Sequence, residues 1–298
     1  MIECPTFTGS LPQPASAVRA AWPKALIVMA HPDDEYALAA TAYRISRELG
    51  GVVDHVVITN GEGGYRYAFL AETIYGVSIA REVDGRTNLP AIRRQETLNA
   101  GRVLGIRRHY FLEQIDSGFE GNCAGAQWRA WDCALIRDRL AGLLAGENYD
   151  FVFTMLPSAC CHGHHRATAL LALETVASLP EERRPVVLGA EAGRLADAPC
   201  AFGGLPEDPL TRTAASAPAV VFDRNAPFGA QPALNYRIVA NWVIGEHKSQ
   251  GLFQTDWGKH DAERFWAFAV TPGALERSGE LARRLRPSGP VGEFSSGL

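Results

Sequence analysis

The sequence of 298 residues is notable first for what it has little of. No apolar run approaches the ~20 residues that a membrane-spanning helix needs, which excludes an α-helical membrane protein. No block of like charge occurs, and the formal net charge is only -4. That excludes the basic surface of a nucleic-acid binder and does not call for a strongly charged substrate. Cysteine is sparse: Cys4, Cys123, Cys133, Cys160, Cys161 and Cys200 form no Cys-x-x-Cys pair. A disulfide scaffold is thereby excluded and reduced thiols are expected. The first residues carry Pro5, Pro12 and Pro14 and lack the basic-then-apolar order of a secretory leader, so a cytoplasmic protein is expected. No repeat and no long linker divides the chain. One α/β domain is expected over 1–286, followed by a mobile tail at 287–298.

What is present is organised around one stretch, Ala25-Leu26-Ile27-Val28-Met29-Ala30-His31-Pro32-Asp33-Asp34-Glu35. The apolar run reads as a buried strand. An amphipathic run beginning at Tyr36 and ending at Gly50-Gly51 reads as a helix, with Pro32 suited to its first turn. A histidine and three acids therefore stand at the carboxyl end of a strand, where ligands bind in open α/β sheets.

Val52 to Thr59 reads as a second strand, running into the glycine-rich loop Asn60 to Tyr65. Strand, helix, strand begins a parallel α/β sheet with right-handed crossovers. The pattern continues with a helix over Ala91 to Leu104, a strand over His109 to Leu112 and a helix over Gln127 to Leu144. A strand over Asp150 to Met155 then leads into a loop, Cys160 to His165, and a helix over Arg166 to Leu179. Arg66 to Pro90 shows only helical patches and a polar stretch at Asp84–Asn88, read as a lid or interface segment. The last third is less regular. Strands are expected near 185–189 and 219–222, a helix over 236–250, and an aromatic strand or loop over 264–270, with an insertion at 191–218.

The chemistry lies in two strand-end clusters. His31, Asp33 and Asp34 leave one strand; His162, His164 and His165 follow another more than a hundred residues later. Mixed imidazole and carboxylate is the donor set of a catalytic zinc, and ferrous iron suits it too. A carboxylate left off the metal is then needed to take a proton from water.

These motifs resemble the signature of the LmbE-like, or PIG-L-type, zinc-dependent deacetylases. Ala30-His31-Pro32-Asp33-Asp34-Glu35 carries the resemblance, followed in order by Arg93-x-x-Glu96, His162-x-x-His165 and Ser249-Gln250. It is close over roughly residues 24–170. The resemblance implies a Rossmann-like, mostly parallel sheet flanked by helices. It implies one zinc held by His31, Asp34 and His165, with Asp33 as general base and His162 as oxyanion stabiliser or acid. It implies removal of an N-acetyl group from an N-acetylglucosamine-type sugar or glycoside, a small-molecule substrate. His164 stands where that family usually has Asp, and is itself a candidate ligand beside His165.

Arg93, Asp116, Glu62 and Arg66 are the candidate substrate-binding residues; an Arg93–Glu96 ion pair on a helix surface is the alternative for the first. His55, alternating with apolar residues in a strand, is expected to pack or face solvent rather than act, and His109 to lie at the surface. Two other activities share these residues: an amidase or deacylase of a thiol–sugar conjugate or natural-product intermediate, and a sugar-binding relative without catalysis. The latter has no use for Asp33. A homo-oligomer is compatible with all three.

Overall fold

The computed structural model describes residues 22–118, 130–158, 161–228 and 234–287. Its centre is a seven-stranded sheet in the order β3-β2-β1-β4-β5-β7-β6. The strands are β1 (Lys24–Met29), β2 (Val52–Thr59), β3 (Arg108–Gln114), β4 (Phe151–Met155), β5 (Val186–Gly193), β6 (Val220–Asp223) and β7 (Ala262–Ala267). β3, β2, β1, β4 and β5 are parallel; β7 adds antiparallel to β5, and β6 antiparallel to β7. The fold is thus a mostly parallel α/β sheet. The chain order reverses between β1 and β4, which opens a crevice at their carboxyl ends.

The helices are α1 (Ala39–Tyr43), α2 (Glu72–Tyr75), α3 (Glu82–Leu104), α4 (Cys133–Glu147), α5 (Gly163–Ala177), α6 (Tyr236–Glu246), α7 (Gln254–Trp257) and α8 (Ala274–Leu285). β1 shows why both faces are covered. Ala25, Ile27 and Met29 join a core built from α1, α3, α6 and α8. Leu26 and Val28 join a second core with Ile136 and Leu140 of α4 and Leu171 and Val176 of α5. Alternate side chains leave a strand on opposite faces, so an unbroken apolar run is what a strand between two helical layers requires. Among the described residues no helix is long and apolar enough to cross a membrane.

Several expectations are corrected. The helix expected over Tyr36–Leu49 is a 3-10 turn (Asp34–Leu38), α1, and a wide π turn (Arg44–Glu48). The lid-like stretch Asp84–Asn88 is the start of α3, which begins at Glu82 and runs through Pro90. Pro90 and Gly85 read as breakers. Gly85 is there for room: a Cβ would come within 2.3 Å of the Tyr65 Cβ. Helix α4 begins at Cys133, capped by Asp132, whose Oδ1 accepts from the Leu135 N–H at 2.9 Å. Residues 127–129 of that expectation lie outside the described residues, as do Cys4, Cys123, Cys160 and all of the tail but Pro287. Residues 191–193 belong to β5, not to an insertion.

The antiparallel end of the sheet reaches back to the centre. Glu263 of β7 is fully buried, and its carboxylate accepts from the N–H groups of Ala40 (2.7 Å) and Thr41 (2.9 Å) in α1. Arg224, also fully buried, donates to it at 2.9 Å. The orphan N–H groups of a helix start are thereby satisfied from a strand more than two hundred residues away.

Candidate active site

His31 leaves β1 and is followed by Asp33, a non-glycine residue at φ 146°. Such backbone costs on the order of 1–3 kcal/mol and persists only where its surroundings hold it. Here Arg93 of α3 holds it. Its guanidinium pairs with Asp33 Oδ2 at 2.9 Å and donates to the carbonyls of Pro32 and Gly61, each at 2.7 Å. Arg93 is buried at the cavity floor. The alternative Arg93–Glu96 pair does not form. Glu96 instead accepts from Ser249 N–H (2.7 Å), Ser249 Oγ (2.6 Å) and Tyr75 hydroxyl (2.6 Å).

The late histidines are not in a loop, as expected, but at the start of α5. His162 is the cap: its ring Nδ1 accepts from the His164 N–H at 3.1 Å. His164 and His165 then lie in the first turn. The helix start aims them at β1 across the sheet's switch point.

Two donor triplets share His31: His31, Asp34 and His165, and His31, His162 and His164, each with ligand atoms within 4.8 Å of one another. In the first, His31 Nδ1 is 3.2 Å from His165 Nε2, and His165 Nε2 is 3.0 Å from Asp34 Oδ1. On its other side, His31 Nε2 is 3.0 Å from His164 Nδ1. His164 is fully buried, lies against Trp131, and has Nε2 3.1 Å from Ser117 Oγ. His162 and His165 line the cavity; His164 does not.

The field at this point is strongly negative. Burial works against a charge on His31, but the carboxylates of Asp34, Asp116 and Asp33 outweigh it and pull its pKa up to about 9. An imidazole that gains a proton here marks a place that attracts a cation. Asp34, although buried, is held well below the usual range by His165 and His31. Burial pushes Asp33 up to about 6, against the pull of Arg93 and with the repulsion of Asp34. Burial and the neighbouring imidazoles, His31 foremost, push His162 down to about 3. A neutral His162 whose Nδ1 accepts a hydrogen bond carries its proton on Nε2.

The cavity above these groups has a volume of about 150 Å³. Asp116, after β3, lines it, with Oδ1 accepting from the Gly118 N–H at 2.8 Å. Gly63 lines it too, and a Cβ there would lie 2.6 Å from Asp116 Oδ1, so the close approach calls for glycine. Glu62 is buried just behind Gly63, and burial raises its pKa. Arg66 is exposed and turned to the Tyr65 hydroxyl (3.1 Å), away from the cavity. Of the four substrate-binding candidates, Arg93 and Asp116 reach the cavity, Glu62 backs it, and Arg66 does not.

Reading the sequence alone missed the opposite wall, made by Tyr67, Phe253 and Trp257 with Gln250 beside them. No residue of the insertion expected at 191–218 lines the cavity; Gln250, Phe253 and Trp257 do. It also missed the buried Glu35–His247 pair (2.8 Å) under the site. The only signal was that aromatics cluster just after Ser249-Gln250.

A family model for PIG-L, described as GlcNAc-PI de-N-acetylase, matches residues 26–176, just over half of the chain. This chain belongs to the PIG-L family. The Bacillus cereus protein named as a probable N-acetyl-alpha-D-glucosaminyl L-malate deacetylase 2 is 24% identical over 162 residues, 54% of this chain and 64% of that protein. The chain therefore spans less than two thirds of the length of this curated relative. Among solved structures, the N,N'-diacetylchitobiose deacetylase of Pyrococcus horikoshii superposes with a TM-score of 0.53 at 20% identity, covering 84% of this chain and 87% of the other. GalB, the 4-carboxy-2-hydroxymuconate hydratase of Pseudomonas putida KT2440, gives 0.54 at 16% identity, covering 82% and 95%. At these identities the structures share the fold with this PIG-L member. A hydratase among them means that the reaction has to be argued from the site.

Proposed function

We propose that this chain is a zinc-dependent hydrolase that removes the N-acetyl group from an N-acetylglucosamine-type sugar or glycoside. One observation carries the reading: Asp33 stands beside the donor triplet without belonging to it, facing the cavity. A metal-binding relic has no use for such a carboxylate.

The donor set fits a divalent ion. His31, Asp34 and His165 combine two imidazoles and one carboxylate at the floor of a cavity whose other acids, Asp33 and Asp116, add negative field. His165 rather than His164 is assigned because it faces the cavity and the carboxylate, whereas His164 lies beneath His31. Zinc favours this set, and ferrous iron is the alternative. When bound, the ion supplies a Lewis acid for the amide carbonyl oxygen and makes water acidic near neutral pH.

The remaining work falls to the chain. Arg93 occupies Asp33 Oδ2, which leaves Oδ1 to take the proton of the attacking water. A carboxylate with a pKa of about 6 is mostly ionised at pH 7 yet basic enough to accept it. The water oxygen bonds to the amide carbon and the carbonyl oxygen becomes anionic. His162 Nε2–H donates to that oxygen. The C–N bond then breaks, and the proton held on Asp33 passes to the leaving amine. Asp116 and the backbone around Gly63 face the hydroxyls of the sugar.

The test is amine release from N-acetylglucosamine and its glycosides by chelated protein, before and after addition of zinc or ferrous iron. Metal-dependent release is expected. A protein that binds one metal ion per chain and releases amine from none of them overturns the reading.

A further inference from the structure

The cavity is two-sided. Carboxylates and glycine backbone form one side. The other is a row of rings: Tyr67 and Phe253 with centroids 4.6 Å apart, then Phe253 and Trp257 stacked at 5.3 Å with planes 16° apart. Trp257 is itself stacked on Tyr36 at 4.3 Å, which anchors the row to the turn after Asp33 and Asp34. The rings are only partly buried although each lines the cavity. Beside the row, Leu252 is exposed, as is Phe69, in a turn that packs against residues 248–253.

Charge narrows what could lie there. Apart from the imidazoles and the ion they would hold, Arg93 is the one cationic side chain among the described residues lining the cavity, and it is spent on Asp33. Asp33, Asp34 and Asp116 line the same space. An anionic substituent lying on the rings, away from that ion, would meet no free cation lining the cavity, and a polar one would give up its own water to the ring faces without replacement.

We infer that Tyr67, Phe253 and Trp257 form a subsite for an uncharged apolar aglycone, carried by the amino sugar whose amide is cut. This rests on the hydrolase reading for the position of the sugar. The rings hold one another before any ligand arrives, so little side-chain freedom is lost on binding. Burial of an aryl or alkyl group there strengthens binding about tenfold or more over a methyl group.

The experiment compares four glucosaminides, the amine products, by calorimetry on the zinc-loaded full chain: methyl, phenyl, hexyl and 4-carboxyphenyl. The N-acetylated forms are assayed in parallel for turnover. Phenyl and hexyl are expected to bind at least about tenfold more tightly than methyl, and 4-carboxyphenyl to lose that gain. Phenyl ahead of hexyl identifies a flat ring as the occupant; the reverse identifies a chain. Phe253→Ser is expected to collapse the phenyl-to-methyl ratio and Phe253→Leu to retain most of it. Equal binding of phenyl and methyl by the unaltered protein overturns the subsite, whether or not either variant folds. Preference in binding without turnover of any acetylated form upholds the subsite and refutes the hydrolase reading instead.

Discussion

His55 offers the sharpest test of the physical reasoning, because it is independent of any ligand. It sits in the middle of β2, fully buried, and neither ring nitrogen has a hydrogen-bond partner among the described residues. Burial pushes its pKa down to about 4, with Glu35 opposing and His109 assisting. In the unfolded chain the same ring titrates near its ordinary value of 6.5. Between these values the unfolded state holds more protons than the folded one, so stability falls as pH drops from 6.5 toward 4. The contribution is about 2 kcal/mol by pH 5 and about 3 kcal/mol once the folded ring is also protonated. His55→Leu removes it. The assay is urea unfolding of both proteins, with chelator present, at several values from pH 7.5 to 5. The variant is expected to be at least as stable at pH 7.5, since two unpartnered nitrogens are gone. The wild type should then lose about 2 kcal/mol relative to it by pH 5. Parallel stability curves would refute the linkage. A variant much weaker at pH 7.5 would show that internal water pairs those nitrogens.

Asp33→Asn is expected to lower turnover by about 10²–10⁴ while elemental analysis still finds metal; asparagine matches aspartate in shape and can still accept from Arg93, so the backbone should hold. His165→Ala is expected to weaken zinc binding by more than the ~10–100-fold typical of a supporting partner, while His164→Asp should leave zinc bound. Competition against a chelator dye reads both, and loss of metal only in His164→Asp would reverse the assignment. Glu263→Gln, which strands the buried Arg224 charge, should cost about 3–5 kcal/mol and lower the melting temperature by about 10 °C. Adding Arg224→Met should recover part of that loss; no recovery would place the damage in the capping of α1 instead.

The parallel half of the sheet was legible because β1 and β4 are mostly apolar runs and β2 is rich in β-branched residues, and burial on both faces writes such runs plainly. So was the meeting of His31 with the late histidines, since the two follow strands that a switch point makes neighbours. The start of α3 was not legible: Gly85 and Pro90 each argue against a helix locally, and packing against Tyr65 overrides both. The late histidines were misread as a loop because His162 caps a helix in place of the usual serine or aspartate. His109 was expected at the surface beside Arg107 and Arg108, yet its ring packs against Gly101 and His55. Arg66 and Arg93 looked equivalent as candidates. Only the crossing of α3 over the glycine-rich turn decides that one reaches Asp33 and the other points to solvent. The aromatic wall was beyond reach, because Phe253 and Trp257 meet Tyr67 through tertiary packing that no local period records.

The reach of Glu263 into α1 has a consequence for where this chain can be divided. The family model ends at residue 176, and every residue of the two donor triplets lies before that point. Yet the turn that carries Asp33 and Asp34 passes into a helix whose first N–H groups are satisfied from β7. Ser249, which steadies Glu96, also comes from the later half. A fragment cut at the edge of the recognisable motif would hold the ligands on an unfinished frame. Expressed as two pieces, the halves should regain metal binding only when mixed. The half with the less recognisable sequence also supplies Phe253 and Trp257. On the proposed reading, substitutions in that segment alter what the protein accepts without touching the donor triplets, so long as the strand carrying Glu263 stays in place.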